Sequence, residues 1–98
     1  MTSDEPPRYR DKRLQHFADG YRVKEFHAFE PQLKKRLAIL EDAQSRDDLR
    51  RLPSNHFEAL GGDRSGQCSI RINQQWRLCF EWPEGAEHPF NIEVVDYH

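Results

Sequence analysis

The spacing of apolar residues changes once along this 98-residue chain, and that change limits the fold class. In "EPQLKKRLAILEDAQ", Leu33, Leu37 and Leu40 recur every three or four positions among charged residues, which predicts an amphipathic helix. Further along, residues 67–72 and 76–82 alternate apolar and polar side chains, which predicts strands. Helices followed by consecutive strands indicate an α+β fold, in which N-terminal helices pack on one face of a small antiparallel sheet.

The same alternation assigns the two faces of the predicted sheet. One face carries the apolar side chains, and we expect the helices to cover it: Ile70, Ile72, Leu78, Phe80, Phe90, Ile92 and Val94. Ser69, Arg71 and Arg77 fall on the other face. We expect this second face to be open to solvent and to hold the functional site. Cys68 and Cys79 fall on opposite faces, so we expect free thiols rather than a disulfide.

The length allows one domain, and we place it at residues 8–98 behind a polar, disordered lead of residues 1–7. Apolar residues make up only 36% of the chain, and no apolar run approaches the roughly 20 residues of a membrane helix. The N-terminal residues lack the apolar segment of a secretory signal. We therefore expect a cytoplasmic protein without a membrane partner.

Charge is distributed unevenly along the chain. Residues 1–52 contain twelve Lys and Arg against ten Asp and Glu, whereas residues 53–98 contain three against seven. A phosphate-containing partner would therefore be bound by local clusters rather than by the net charge of −2. We consider Lys34, Lys35 and Arg36 as such a cluster, with a solvated helix face as the alternative. Arg64, in the turn "GGDRSG", and Arg71 are further candidates for RNA binding.

The end of the chain, "NIEVVDYH", places a carboxylate, a phenol and an imidazole in a row after a predicted strand. Tyr97 has the strand parity of Glu93 and should lie on the same side as Arg77. An arginine, a tyrosine and a histidine at one site suit the attack of a ribose 2′-hydroxyl on its own phosphate. The alternatives are an ion pair for Arg77 and a ring covering the sheet edge for Tyr97.

The histidines are scattered and show none of the spacings typical of metal ligands. No glycine-rich loop precedes a helix in the way that phosphate-binding loops do. We therefore predict neither a metal site nor a cofactor.

The stretches "FEALGGDRSGQCSIRINQQWRLCFEW" and "NIEVVDYH" resemble the HigB/GraT branch of the RelE/ParE toxin superfamily. The resemblance is dense over residues 57–98 and continues more loosely upstream to about Tyr9. It implies a RelE-like fold and the toxin half of a bacterial type II toxin–antitoxin pair. It also implies an endoribonuclease that cuts mRNA in the A site of the 70S ribosome without a metal.

The resemblance further implies a HigA-like helix-turn-helix antitoxin, with operator DNA bound only through that antitoxin. Position by position, Arg77 matches the family's phosphate-contacting arginine and Tyr97 its catalytic-site tyrosine. Asp96 and His98 match the pair that flanks this tyrosine.

The chain departs from the family pattern before the Gly-Asp-Arg turn, where many members carry His-x-x-Lys. Glu58 and Gly61 stand at those two positions. A slower nuclease is one hypothesis, because the loss of one preorganised charge raises a reaction barrier by a few kcal/mol. Two other functions stay open: inhibition of DNA gyrase by binding, as in the ParE branch, or autoregulation through the antitoxin alone.

Overall fold

The computed structural model describes residues 6–96, and its α-helices come before its sheet. The three α-helices are α1 (Lys12–Ala18), α2 (Glu30–Asp42) and α3 (Arg46–Arg50). Short 3₁₀ helices span Lys24–Phe29, Pro53–Asn55 and Gly62–Arg64. The strands are β1 (Glu58–Ala59), β2 (Gln67–Arg71), β3 (Trp76–Glu81) and β4 (Phe90–Asp96). The α+β fold class is therefore confirmed.

Polar side chains begin two of the helices. The Asp11 carboxylate accepts a hydrogen bond from the backbone N–H of Arg13 at 3.0 Å, which satisfies one of the free donors at the start of α1. Ser45 accepts in the same way from Asp48 at the start of α3. Helix α1 is followed by Gly20 at φ +99°, a conformation that glycine adopts without strain.

The four strands form one antiparallel sheet in the order β1-β2-β3-β4. Across β2 and β3, Ile70 pairs with Leu78, and Arg71 pairs with Arg77. Across β3 and β4, Leu78 pairs with Val94. Paired residues lie on the same face, so the register separates an apolar face from a polar one.

The core lies between the apolar face of the sheet and the helices. Leu33, Leu37 and Leu40 of α2 are buried in one cluster with Ile70 and Leu78 of the sheet. The apolar stripe of α2, which repeats about every 3.6 residues, packs in this cluster against the apolar face of the strands, which repeats every two residues. Its largest fully buried aromatic side chains are Phe26 and Phe80.

The segment of residues 7–10 runs beside the outer edge of β4. Tyr9 forms a parallel bridge with Ile92, and the Pro7 carbonyl accepts a hydrogen bond from the N–H of Asn91 at 2.9 Å. The Tyr9 hydroxyl also donates to a carboxylate oxygen of Glu41 on α2. These contacts satisfy backbone groups that an edge strand otherwise leaves exposed. They also show that Pro7, which we assigned to the lead, contacts the sheet.

One expectation about the apolar face is wrong. A bulge interrupts the β3–β4 register between two pairs, Cys79 with Glu93 and Glu81 with Phe90. One residue of β3 therefore lies opposite two residues of β4. Asn91 is the extra residue and has a left-handed backbone at φ +52°. The bulge reverses the alternation, so Phe90 pairs on the polar face and lies beside His88, outside the core cluster.

Within residues 6–96, none of the helices combines the length and the apolar character that crossing a bilayer requires.

Candidate functional site

The polar face of the sheet is not open at its centre, contrary to our expectation. Ser69 and Cys79 are fully buried, and Arg77 is only 7% exposed. The 3₁₀ turn Pro53–Asn55 and the following His56 lie over this part of the sheet. We call residues 53–56 the cover turn. The alternation predicted the correct face for Arg77, but it contained no information about a turn that folds over that face.

Arg77 is held between the sheet and the cover turn. Its Nε donates to the Ser69 hydroxyl at 2.8 Å, and its Nη2 donates to the backbone carbonyl of His56. Ser69 lies on the neighbouring strand β2, so one guanidinium joins two strands and the cover turn. An arginine fork is suited to such a role, because its five N–H donors have a fixed planar geometry.

Arg71 lies directly across from Arg77 on the same face. Like charges at opposed positions of a sheet are destabilising, so stability alone does not explain this pair. Arg71 is half-buried; its Nε donates to the Asn73 carbonyl at 3.1 Å, and its Nη1 lies 3.3 Å from His56 Nε2. Among the described residues it contacts no carboxylate. Two opposed arginines are an arrangement that favours an anionic ligand.

The buried side-chain amide of Asn55 holds the cover turn in place. The side chain of Asn55 is fully buried; its Nδ2 donates to the Leu49 carbonyl at 3.0 Å, and its Oδ1 accepts from Arg36 at 2.7 Å. Burial lowers the pKa of the Arg36 guanidinium. His56, which ends the turn, has a left-handed backbone at φ +45° and an exposed side chain. The turn therefore presents an imidazole to solvent beside Arg71.

The other end of the polar face carries paired charges. Glu93 lies 3.3 Å from Arg10 and 3.8 Å from Arg64, and Arg64 also donates to the Gln67 side chain at 2.9 Å. Arg10 in addition lies 3.8 Å from Glu81. The Arg64 guanidinium thus reaches the polar face, but there it is paired with a carboxylate and a side-chain amide. The cationic end of the face is the end with Arg71, Arg77 and His56.

The three basic residues predicted on α2 do not join this cluster. Lys34 and Lys35 are exposed on the helix, whose apolar stripe packs on the opposite face of the sheet. Arg36 points to the cover turn and supports it through Asn55. The structure therefore separates these candidates: Arg36 braces the site, whereas Lys34 and Lys35 lie away from it. Their binding of RNA stays a prediction.

Strand β4 ends beside the cluster. Val95 pairs with Arg77, and Asp96 pairs with Trp76, whose ring stacks on Phe29 at 5.1 Å. Asp96 is therefore on the helix side of the sheet, the face opposite to that of Arg77. Its carboxylate accepts a hydrogen bond from the Gln75 side chain at 3.1 Å. Tyr97 and His98 lie outside the described residues. The catalytic roles of all three stay predictions.

Burial determines the reactivity of the Cys79 thiol, which lies on this face. Burial raises the pKa of Cys79 to about 11, although the charge of the nearby Arg64 guanidinium lowers it. The thiol is therefore protonated at neutral pH and does not serve as a nucleophile. Within residues 6–96, no three His, Cys, Asp or Glu side chains lie together in a way that suits a metal ion.

His56 was missed by sequence reasoning. Among five scattered histidines nothing marked it, because its contacts are made with residues 15 and 21 positions away. The one available signal was its place two residues before the first strand, opposite an arginine-bearing face. That signal has value only when the register of the sheet is known.

The sequence profile described as "RelE-like toxin of type II toxin-antitoxin system HigB" matches residues 7–98. The chain belongs to the HigB-like toxin family. A protein of Vibrio cholerae named "Toxin HigB-1" is 40% identical over 80 residues, covering 80% of this chain and 84% of that protein. An uncharacterized protein of Haemophilus influenzae is 27% identical over 66 residues, covering 67% of this chain and 65% of its own length.

Membership of the HigB-like toxin family identifies the chain as a toxin of a type II toxin–antitoxin system, and such a toxin has an antitoxin partner. The match includes both the cover turn and the strands that carry Arg71 and Arg77. The cationic end of the polar face is therefore part of the toxin domain itself.

Proposed function

We propose that this HigB-type toxin is an endoribonuclease that cuts mRNA in the A site of the ribosome and thereby inhibits translation and growth. Family membership supports the proposal, since RelE-like toxins generally cleave RNA. The observation that carries it is the opposed pair of Arg71 and Arg77 with His56 beside it. An arrangement of two guanidinium groups and an imidazole suits a phosphodiester as substrate.

In this proposal Arg71 makes the first contact with the scissile phosphate, because it is the more accessible of the two arginines. Arg77 lies behind it and holds Ser69 and the cover turn in place. The Arg77 guanidinium is fixed before substrate arrives, so its charge stabilises the additional negative charge of the transition state without reorganising. This assignment gives Arg77 a positioning role in addition to its charge.

The reaction is attack of the ribose 2′-hydroxyl on its own phosphate, carried out by side chains of the toxin. Tyr97 and His98 follow a strand whose residue Val95 pairs with Arg77. Tyr97 would orient or deprotonate the 2′-hydroxyl or stack on the base, and we assign to His98 and Asp96 supporting acid–base roles. Base stacking on an aromatic side chain is a common mode of RNA recognition.

The partners follow from the same proposal. The antitoxin is a HigA-like protein with a helix-turn-helix domain, and the complex binds operator DNA through that domain. The ribosome supplies the mRNA together with ribosomal RNA, and Lys34, Lys35 and Arg64 are candidates for contact with that RNA. The toxin acts in the cytoplasm, where ribosomes translate.

The test compares the wild-type chain with Arg71→Ala and a matched control, Lys24→Ala, which removes an exposed cation of the 3₁₀ helix Lys24–Phe29. Each is expressed without antitoxin, and primer extension then maps the 5′ ends of cellular mRNA. We expect new 5′ ends for wild type and Lys24→Ala, and strongly reduced cleavage for Arg71→Ala. Growth inhibition without new 5′ ends would favour the gyrase-inhibitor alternative and refute the nuclease.

A further inference from the structure

We infer that His56 is the general base of this site and that Arg71 keeps its imidazole masked until a phosphate arrives. The inference rests on the proposed nuclease function and names the proton acceptor within it. Neither the family match nor the relatives assign a role to His56, and the residue does not belong to the motifs that carry the resemblance.

The contact between His56 and Arg71 defines the proton positions on the imidazole. A guanidinium has only N–H donors, so in its 3.3 Å contact with Arg71 Nη1 the His56 Nε2 atom must accept. The tautomer that fits this contact carries its proton on Nδ1 and its lone pair on Nε2. A neutral ring with a lone pair on Nε2 is the form that a general base requires.

The same contact occupies that lone pair while no substrate is bound. A phosphate oxygen is a stronger partner for Arg71, because a hydrogen bond between two charged groups is stronger than one to a neutral imidazole. Binding of the scissile phosphate therefore draws the Arg71 guanidinium away from Nε2. The Nε2 lone pair of His56 then becomes available beside the phosphodiester whose bond to the 5′ oxygen breaks.

The chemical step then balances as follows. His56 Nε2 takes the proton of the ribose 2′-hydroxyl while the 2′ oxygen forms a bond to phosphorus. The bond between phosphorus and the 5′ oxygen breaks, and the 5′ oxygen leaves with its electron pair and takes a proton from water. The products are a 2′,3′-cyclic phosphate and a 5′-hydroxyl. The imidazolium returns its proton to solvent, and Arg71 masks the neutral ring again.

The position of the imidazole is built into the fold. The carbonyl of His56 accepts from the buried Arg77, and the turn before it is braced by Asn55. Among the described residues, Arg71 on β2 contacts the ring and Arg77 on β3 contacts the backbone carbonyl of His56. Glu58 of β1 follows two residues along the chain and is in register with Ser69. The backbone at φ +45° is uncommon for residues other than glycine, asparagine and aspartate.

That backbone also determines the best test variant. His56→Asn suits the left-handed conformation and keeps an oxygen that can accept from Arg71, but an amide cannot take the proton. We expect its single-turnover rate of cleavage, measured on mRNA bound to 70S ribosomes, to fall by about 10²-fold or more. Its affinity for the ribosome and its thermal unfolding should stay close to those of wild type.

A second variant, His56→Ala, tests the chemistry itself. Added imidazole should restore part of the cleavage rate of His56→Ala in proportion to its concentration, and it should not affect His56→Asn in the same way because the amide fills the space. A residue with only a structural role would not be rescued by a small-molecule base.

The outcomes separate this inference from the function on which it rests. A wild-type chain that leaves ribosome-bound mRNA intact overturns the nuclease proposal. A wild-type chain that cuts, together with a folded His56→Asn variant that cuts at the same rate, overturns the role of His56 alone. Loss of cleavage in His56→Ala without imidazole rescue also counts against the base, provided that the variant unfolds at the wild-type temperature.

Discussion

The guanidinium of Arg77 donates to the backbone carbonyl of His56 and so ties strand β3 to the turn that covers it. The same side chain donates to the buried hydroxyl of Ser69. A charged group that satisfies one buried and one partly buried acceptor contributes to stability as well as to the electrostatics of the site.

Arg77→Ala should therefore destabilise the protein as well as abolish cleavage. Removal of the guanidinium leaves the Ser69 hydroxyl and the His56 carbonyl without this donor, and we expect the free energy of unfolding to fall by about 2 kcal/mol. Urea denaturation measures this change. Arg71→Ala is the matched control, since its partners are more exposed and its loss also relieves the repulsion across the strands. Equal stabilities of Arg77→Ala and wild type would contradict the bracing role.

Asp11 should make the stability of the protein sensitive to acid. Burial opposes ionisation of this carboxylate, but hydrogen bonds from Arg13 and from the backbone of Val94 prevail and hold its pKa below the ordinary value of 3.8. A lowered pKa in the folded state means that the stabilisation is present above that ordinary value. It is lost as the pH falls through the folded pKa.

Asp11→Asn isolates this effect, because asparagine still caps α1 but carries no charge. We expect the variant to be less stable than wild type near neutral pH, and the difference to shrink towards zero in strong acid. Urea unfolding of both proteins at a series of pH values checks the expected difference near neutral pH and its loss in strong acid. A constant difference at every pH would mean that the charge of Asp11 does not contribute.

The two cysteines should be unreactive in the folded protein. Burial raises the pKa of Cys68 as well as that of Cys79, so both remain protonated thiols near neutral pH. Labelling with iodoacetamide, followed by mass spectrometry, should modify neither thiol in buffer and both in denaturant. Rapid labelling of Cys79 in buffer would show that the cover turn moves away from the polar face readily.

The bulge at Asn91 gives a prediction about backbone conformation. Its φ of +52° is favourable for glycine, tolerated by asparagine and strained for a β-branched residue, although valine is otherwise a good strand former. Asn91→Val should be less stable than Asn91→Gly by about 1 to 2 kcal/mol. Both variants lose the hydrogen bond to Glu81, so their comparison isolates the strain. Thermal or urea unfolding that ranks valine above glycine would show that the bulge is not retained.

The periodicity of the sequence predicted the main elements because each has a local cause. Leu33, Leu37 and Leu40 define the buried stripe of α2, as their spacing of three and four positions predicts. The bulge escaped prediction because Asn91 is left-handed only in the context of its partner strand. A two-residue period assumes an uninterrupted ladder, so it assigned Phe90 to the wrong face.

The candidate site was predicted in part. Strand parity indicated that Arg71 and Arg77 share a face, and the register confirms this. It could not indicate that Arg77 is buried, because the cover turn comes from another part of the chain and is supported by Arg36 and Asn55. Parity describes which side of a strand a residue occupies, whereas exposure depends on what the rest of the chain packs against that side.

The pairing of residues 7–10 with β4 has a consequence for how the protein folds. It joins positions more than eighty residues apart, as in the contact between Arg10 and Glu93. Contacts of such long sequence separation close a large loop, so this closure is expected late in folding. Until it occurs, a partly folded chain presents the bare backbone of β4 to its neighbours. Dilute conditions during refolding should therefore raise the yield, and a bulky fusion placed close before Pro7 should lower it.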